Sequence, residues 1–157
     1  MDLDLSPGAL VLVDSSALVY LVEGEASSPR RKAVERFLAE AASKAARVVA
    51  STLAWTELLE GPLSRGDHAL AARYRSLLAD SSRIVLREVD VAVAQAAAEL
   101  AAAMPSARKK SVSSGDILHI ATAVAIGAAA VLTNDEAWRA VPRCPRLLLV
   151  DELAAEL

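Results

Sequence analysis

Three short apolar runs limit how this chain can fold: ALVLV at 9–13, AAAVLT at 128–133 and RLLLV at 146–150. Each is β-branched or leucine-rich and bounded by turn or polar residues. Two weaker runs, RVVA at 47–50 and RIVL at 83–86, share the character. Continuous apolar runs of this length suit strands buried on both faces, as in a parallel sheet.

Helical patterns fill the intervals. SPRRKAVERFLAEAASKAA sets Val34, Phe37, Leu38 and Ala41 on one side at spacings of three and four. STLAWTELLEG offers Thr52 as an N-cap and Gly61 as a stop. Asp67 and Asp90 stand where caps belong for the next two helices, the second ending before Pro105. SSGDILHIATAVAIG opens with serines and closes at Gly127. Strands alternating with helices predict a single α/β domain over 1–157, a three-layer α/β/α sandwich with a central, mainly parallel sheet.

The composition supports a soluble domain. Just over half of the 157 residues are hydrophobic, many of them alanine, which suits close helix–sheet packing. The net charge of −3 is unlike a basic nucleic-acid coat. One cysteine, Cys144, leaves no partner for an intrachain disulfide and fits a reducing cytoplasm. With two histidines beside it, a structural zinc site is not expected. The amino-terminal MDLDLSPG is acidic where a secretion signal would be basic. The apolar stretch from Ile117 to Leu132 is interrupted by His119 and is shorter than the roughly 20 residues a bilayer demands. A cytoplasmic protein without a membrane partner is expected.

The first apolar run stops at Asp14. In open parallel sheets, ligands gather at the carboxyl ends of strands. Asp135 follows the strand AAAVLT, Asp116 lies in the first turn of the helix before it, and Glu57 lies in the helix after RVVA. Four carboxylates from four segments could therefore converge on one edge of the sheet. Each has a structural alternative. Asp14 could cap the next helix. Asp116 stands three residues after Ser113, the spacing of a capping box. Glu60 could replace Glu57, and Asn134 or Glu136 could replace Asp135. Asp151 ends the last strand and is a weaker competitor.

Clustered carboxylates repel, and a cation relieves that repulsion. An all-oxygen set selects a hard divalent ion, Mg²⁺ or Mn²⁺. Such an ion polarises a phosphate and acidifies a water, so hydrolysis at phosphorus is the natural chemistry.

The motifs resemble a known family. VLVDSSALVYLV, STLAWTELLEG and SGDILHIATAVAIGAAAVLTNDEAW are similar, in this order, to the acidic segments of PIN-domain ribonucleases, and more narrowly of VapC-type toxins from toxin–antitoxin operons. The resemblance spans nearly the whole chain and implies five parallel strands. It assigns Asp14, Glu57, Asp116 and Asp135 to a Mg²⁺ site in which Mn²⁺ is also accommodated. Asp14 and Asp116 would be the more direct ligands, with Glu57 and Asp135 acting through waters or orienting the nucleophile. Ser15 and Thr133 match supporting polar positions. Two departures stand out: Gly115 replaces a proline or apolar residue, and His119 replaces an apolar one. A lone histidine there is more often a packed or surface residue than a ligand; with its ring facing the metal, it could contact substrate phosphate.

The resemblance implies a metal-dependent endoribonuclease acting on RNA, a cognate VapB-type antitoxin and a homodimer. Arg108, Lys109 and Lys110 lead to Asp116 and could meet the RNA backbone, as could Arg30 to Lys32. Tyr20, Tyr74, Trp55 and Trp138 are the main stacking candidates, with Trp55 expected to pack inward. Two other classes remain open: a non-catalytic PIN-like module that binds RNA or protein, and a phosphatase using Asp14 as nucleophile. The second is disfavoured by Ser16, where such enzymes usually carry a further aspartate.

Overall fold

The computed structural model describes residues 3–106 and 111–157. Among the described residues five strands form one sheet: β1 (Leu10–Val13), β2 (Arg47–Ser51), β3 (Val85–Arg87), β4 (Ala130–Thr133) and β5 (Arg146–Leu149). Their order is β3-β2-β1-β4-β5, and every pairing is parallel. All five expected runs are strands, within two residues at each end.

Seven α-helices among the described residues connect or follow the strands: α1 (Ser15–Glu23), α2 (Pro29–Ser43), α3 (Leu53–Ser64), α4 (His68–Ala79), α5 (Val91–Ala103), α6 (Ser114–Ala125) and α7 (Val150–Ala155). A 3₁₀ helix covers Glu136–Ala140. The strands alternate between two cores. Val11, Val13, Val48, Ala50, Ala130 and Leu132 face one that holds Phe37, Tyr74, Leu18 and Leu153 from α2, α4, α1 and α7. Leu12 and Val131 face the other, with Leu100, Ile120 and Trp138. Helices therefore cover both faces, which is why the strands read as unbroken apolar runs rather than alternating ones. The three-layer α/β/α class is as expected.

The caps at Asp67 and Asp90 are made, each side chain accepting from the backbone N–H three residues on. In α2, Val34, Phe37 and Ala41 are fully buried and Leu38 packs against them. One boundary differs from expectation. Helix α3 runs through Gly61 and Pro62 to Ser64, so Gly61 is not its stop. Thr52 has helical φ and ψ, and its hydroxyl accepts from Val89 N–H at 3.1 Å instead of capping α3. Glycines in the left-handed region follow the C-caps of α3 and α6 instead: Gly66 at φ +71° and, as expected, Gly127 at φ +63°, where a side chain would be strained.

The winding positions the site. From β1 the sheet grows through β2 and β3 on one side and through β4 and β5 on the other. Between β1 and β4 the connections leave in opposite directions, opening a crevice at the carboxyl ends of those strands. Asp14 ends β1 there, and Thr133 ends β4 beside it. No helix among the described residues is long and apolar enough to cross a membrane.

Candidate metal centre

Asp14 belongs to the sheet by its backbone and to the crevice by its side chain. Its N–H donates to Leu132 O at 2.9 Å, carrying the ladder one residue past β1. Its backbone is extended, and its carboxylate makes no capping bond to α1. The capping role is therefore not the one it plays. Instead Oδ2 accepts from Ser16 Oγ at 2.6 Å and Thr133 Oγ1 at 2.8 Å. Asp14 is 8 % exposed. A carboxylate at that depth is held by its donors and leaves Oδ1 toward the crevice, 3.9 Å from His119 Nε2.

Glu57 arrives from the second turn of α3. Its Oε2 accepts from Ser15 Oγ and lies 2.8 Å from His119 Nε2. Its Oε1 faces Gly115: a Cβ built at that glycine would stand 3.1 Å from it. The glycine that departs from the family pattern thus makes room for an acid of the site.

Asp116 completes a capping box at the start of α6. Its Oδ2 accepts from Ser113 N–H at 2.7 Å and Ser113 Oγ at 2.6 Å, while its own N–H donates to Ser113 Oγ at 3.1 Å. Structural and functional readings of Asp116 are compatible, because one oxygen serves the cap and the other does not. Asp135 is anchored in the same way. Its Oδ1 accepts from Ala137 N–H at 2.8 Å, capping the 3₁₀ helix, and its N–H donates to Thr133 Oγ1 at 3.2 Å. All four acids share one pattern. Among the described residues, the scaffold's hydrogen bonds fall on one oxygen of each carboxylate and leave the other oxygen without a hydrogen-bond donor.

Among the described residues, Asp14, Glu57 and His119 form one group whose ligand atoms all lie within 4.8 Å of one another. Asp116 and Asp135 flank this group and are not part of it. Asp116 is near enough for its charge to act on His119. Asp135 is tied to Asp14 through the shared hydroxyl of Thr133. The donor set fits a divalent cation: the Asp14 and Glu57 carboxylates are each held through one oxygen, and Asp116 and Asp135 are linked to the group through His119 and Thr133.

His119 was not an expected member of the site. It sits on α6 at 1 % exposure, with Nδ1 2.9 Å from Ser51 Oγ and its ring stacked on Trp138 at 6.1 Å. Its place three residues after Asp116 was the signal, since that spacing puts both on one helix face. Burial works against the charged imidazolium and is the largest influence. The Glu57 hydrogen bond and the charges of Asp14, Glu57 and Asp116 outweigh it, and the His119 pKa rises above its ordinary 6.5. Glu57 responds in the opposite sense. Desolvation would raise it, but the bonds from His119 and Ser15 and the histidine's charge bring it below 4.5.

The other sequence candidates fall elsewhere. Asp151 pairs with Arg30 at 2.6 Å and accepts from Asn134, in a surface network that also includes the Tyr20 ring under Arg30. Arg31 pairs with Glu35 at 2.8 Å. Tyr74 and Trp138 are buried in the cores, and Trp55 packs partly against the first, as expected. Arg108, Lys109 and Lys110 lie outside the described residues.

Comparison with known proteins places this geometry. A search of curated protein sequences gives no match. Among solved structures, VapBC2 from Rickettsia felis bound to a promoter DNA fragment superposes with a TM-score of 0.70 at 15 % identity, over 89 % of this chain and 98 % of that one. DNA-bound VapBC from Salmonella typhimurium gives 0.67 at 17 %, over 90 % and 98 %. VapC20 from Mycobacterium tuberculosis, described as a sarcin–ricin loop cleaving toxin, gives 0.59 at 21 %, over 77 % and 86 %. At these identities the likeness is one of fold. The PIN-domain family model matches residues 11–143, from the strand that delivers Asp14 to beyond the 3₁₀ helix capped by Asp135. The chain belongs to the PIN-domain family.

Proposed function

We propose that this chain is a metal-dependent endoribonuclease, the toxin of a toxin–antitoxin pair. The observation that carries this reading is the pairing of Asp14 and Glu57 in the crevice, each anchored through one oxygen, with no hydrogen-bond donor on the other among the described residues. Asp14 and Asp116 would hold Mg²⁺ or Mn²⁺ most directly, with Glu57 completing the site and Asp135 orienting the attacking water. Ser15 and Thr133 support them by spending their hydroxyls on the inner oxygens of Glu57 and Asp14. When bound, the cation polarises the phosphodiester and acidifies a water. Water is then the nucleophile rather than the RNA's own 2′-oxygen, and the products carry a 5′-phosphate and a 3′-hydroxyl.

The residues that would grip RNA are basic. Arg108, Lys109 and Lys110 precede Asp116 in sequence and are assigned the phosphate backbone. Arg30 and Arg31 are already paired with acids, which lowers their claim. A nuclease of this kind endangers its own cell, so a VapB-type antitoxin would cover the site. The solved neighbours include VapBC complexes, which supports that partner. A homodimer acting in the cytoplasm completes the proposal.

The test is cleavage of structured RNA by the purified protein with Mg²⁺ or Mn²⁺, against EDTA, Asp14→Asn and an RNA carrying 2′-deoxy at the cut site. Activity is expected to need the metal and Asp14, and to survive the 2′-deoxy substitution. Cleavage that persists in EDTA and stops at the 2′-deoxy position would overturn the mechanism. Protein that binds no metal and cuts no RNA would instead be a PIN-like binding module.

A further inference from the structure

Glu57 receives two donors on a single oxygen, and one of them is itself held from behind. His119 Nε2 lies 2.8 Å from Oε2, and His119 Nδ1 lies 2.9 Å from Ser51 Oγ, at the end of β2. Ser51 is 0 % exposed and His119 1 %. The Trp138 ring lies nearly parallel to the imidazole, at an interplanar angle of 22°. The ring is therefore fixed at Nδ1 and over one face, and its Nε2 edge is aimed at the acids.

We propose that His119, locked by Ser51, is a positioning residue: it holds the inner oxygen of Glu57 by donating from Nε2, so that Oε1 is the oxygen offered to the cation. The inference rests on the metal-dependent reading given above and adds a residue pair to it. The direction of the bonds follows from the inventory of donors. An ionised carboxylate has no hydrogen to give, so Nε2 must supply it. Ser51 can either donate or accept. In the neutral ring its hydroxyl donates to Nδ1; in the cationic ring Nδ1–H donates to Ser51 Oγ. Nε2 keeps its hydrogen in both cases, and the role does not depend on the ring's charge.

The competing role is direct ligation. Nε2 is close enough to Asp14 and Glu57 to join them around one ion. Ligation would require the Nε2 lone pair and hence loss of the bond to Glu57. It would leave that glutamate with Ser15 as the remaining donor to Oε2. The structure instead gives Oε2 two donors and leaves Oε1 facing Gly115, where no side chain from that position presses on it. Outer partners that orient a metal's ligands typically change affinity by roughly 10- to 100-fold when removed.

The test compares native protein, His119→Leu, His119→Gln and Ser51→Ala at matched foldedness, with Mn²⁺ as the probe. Long-range proton–nitrogen NMR of the metal-free native protein should find the hydrogen on Nε2. Pulsed EPR of its Mn²⁺ complex should show no directly coordinated histidine nitrogen. Mn²⁺ affinity should fall about tenfold in His119→Leu, recover in His119→Gln, whose amide can still donate, and fall less in Ser51→Ala. RNA turnover should follow in kcat with KM unchanged. Should His119→Leu fail to fold, Ser51→Ala and His119→Gln carry the comparison. A histidine nitrogen bound to Mn²⁺, or native affinity in both His119→Leu and Ser51→Ala, overturns the proposal. Native protein that cuts RNA with variants unchanged defeats this inference alone; native protein that binds no Mn²⁺ defeats the metal reading and this inference with it.

Discussion

Thr133 donates its hydroxyl to Asp14 at 2.8 Å across 119 residues of sequence, joining the ends of β4 and β1. The bond spans the crevice where the sheet changes winding direction. Thr133 is fully buried, and its oxygen also accepts from Asp135 N–H, so one hydroxyl sets two acids. Thr133→Val keeps the shape and removes the donor. The expected cost is about 1–3 kcal/mol in denaturant unfolding, because a buried carboxylate oxygen loses a partner. Cleavage should fall with it, and Thr133→Ser should restore both. Full activity in Thr133→Val would show that Asp14 needs no such anchor.

Gly115 separates stability from function. It lies in the first turn of α6 with φ outside the left-handed region, so alanine suits the backbone. Helix propensity alone would make Gly115→Ala neutral or stabilising by up to about 1 kcal/mol. The new Cβ would stand 3.1 Å from Glu57 Oε1 and push it by a few tenths of an ångström. Activity should drop roughly 3- to 10-fold while the melting temperature holds or rises. A variant as active as the native protein would mean that Oε1 does no close work.

The His119–Glu57 pair gives the metal-free protein a pH signature. The folded-state pKa of His119 is raised, so its contribution is complete below the ordinary value of 6.5 and fades as pH rises through the raised one. Glu57 is lowered, so its contribution is present above its ordinary 4.5 and is lost as pH falls through the lowered value. Both act together between about pH 4.5 and 6.5. The stability gap between native protein and His119→Gln, measured in EDTA by chemical unfolding, should be widest there and narrow toward alkaline pH. A gap that does not change with pH would show that the pair carries no net charge interaction.

Cys144 should be slow to react. Burial pushes its thiol up to about 11. Against an ordinary 9.0, that leaves about a hundredfold less thiolate near pH 8. Alkylation by iodoacetamide should be correspondingly slow in folded protein and fast in denaturant. Equal rates in the two states would place the thiol in water.

How far the sequence could be read follows the range of each interaction. The strands were legible because burial on both faces leaves a continuous apolar record in the chain, as in Val11 to Val13. The caps at Asp67, Asp90 and Ser113 were legible because their partners lie three residues away. The α3 boundary was not, since Gly61 is as compatible with a helix interior as with its end once Leu58, Leu59 and Pro62 are packed. Its own position marks His119 as a packed or surface residue rather than a ligand, and it is packed. What the spacing could not reveal is that Ser51, 68 residues away, turns its ring toward Glu57.

Asp116 carries the sharpest contrast between a structural and a chemical duty. Its Oδ2 belongs to the capping box with Ser113, and its Oδ1 takes no part in that box. Ser113→Ala removes the cap hydroxyl and keeps the carboxylate; it should cost about 1 kcal/mol of stability and only a few-fold in cleavage. Asp116→Asn keeps an oxygen able to accept from Ser113 N–H and removes the charge. It should unfold within about 1 kcal/mol of the native protein and yet lose nearly all cleavage, together with much of its Mn²⁺ affinity. If both variants lost activity in proportion to stability, the cap would be the whole contribution of Asp116, and the metal would have to be held by Asp14, Glu57 and Asp135 alone.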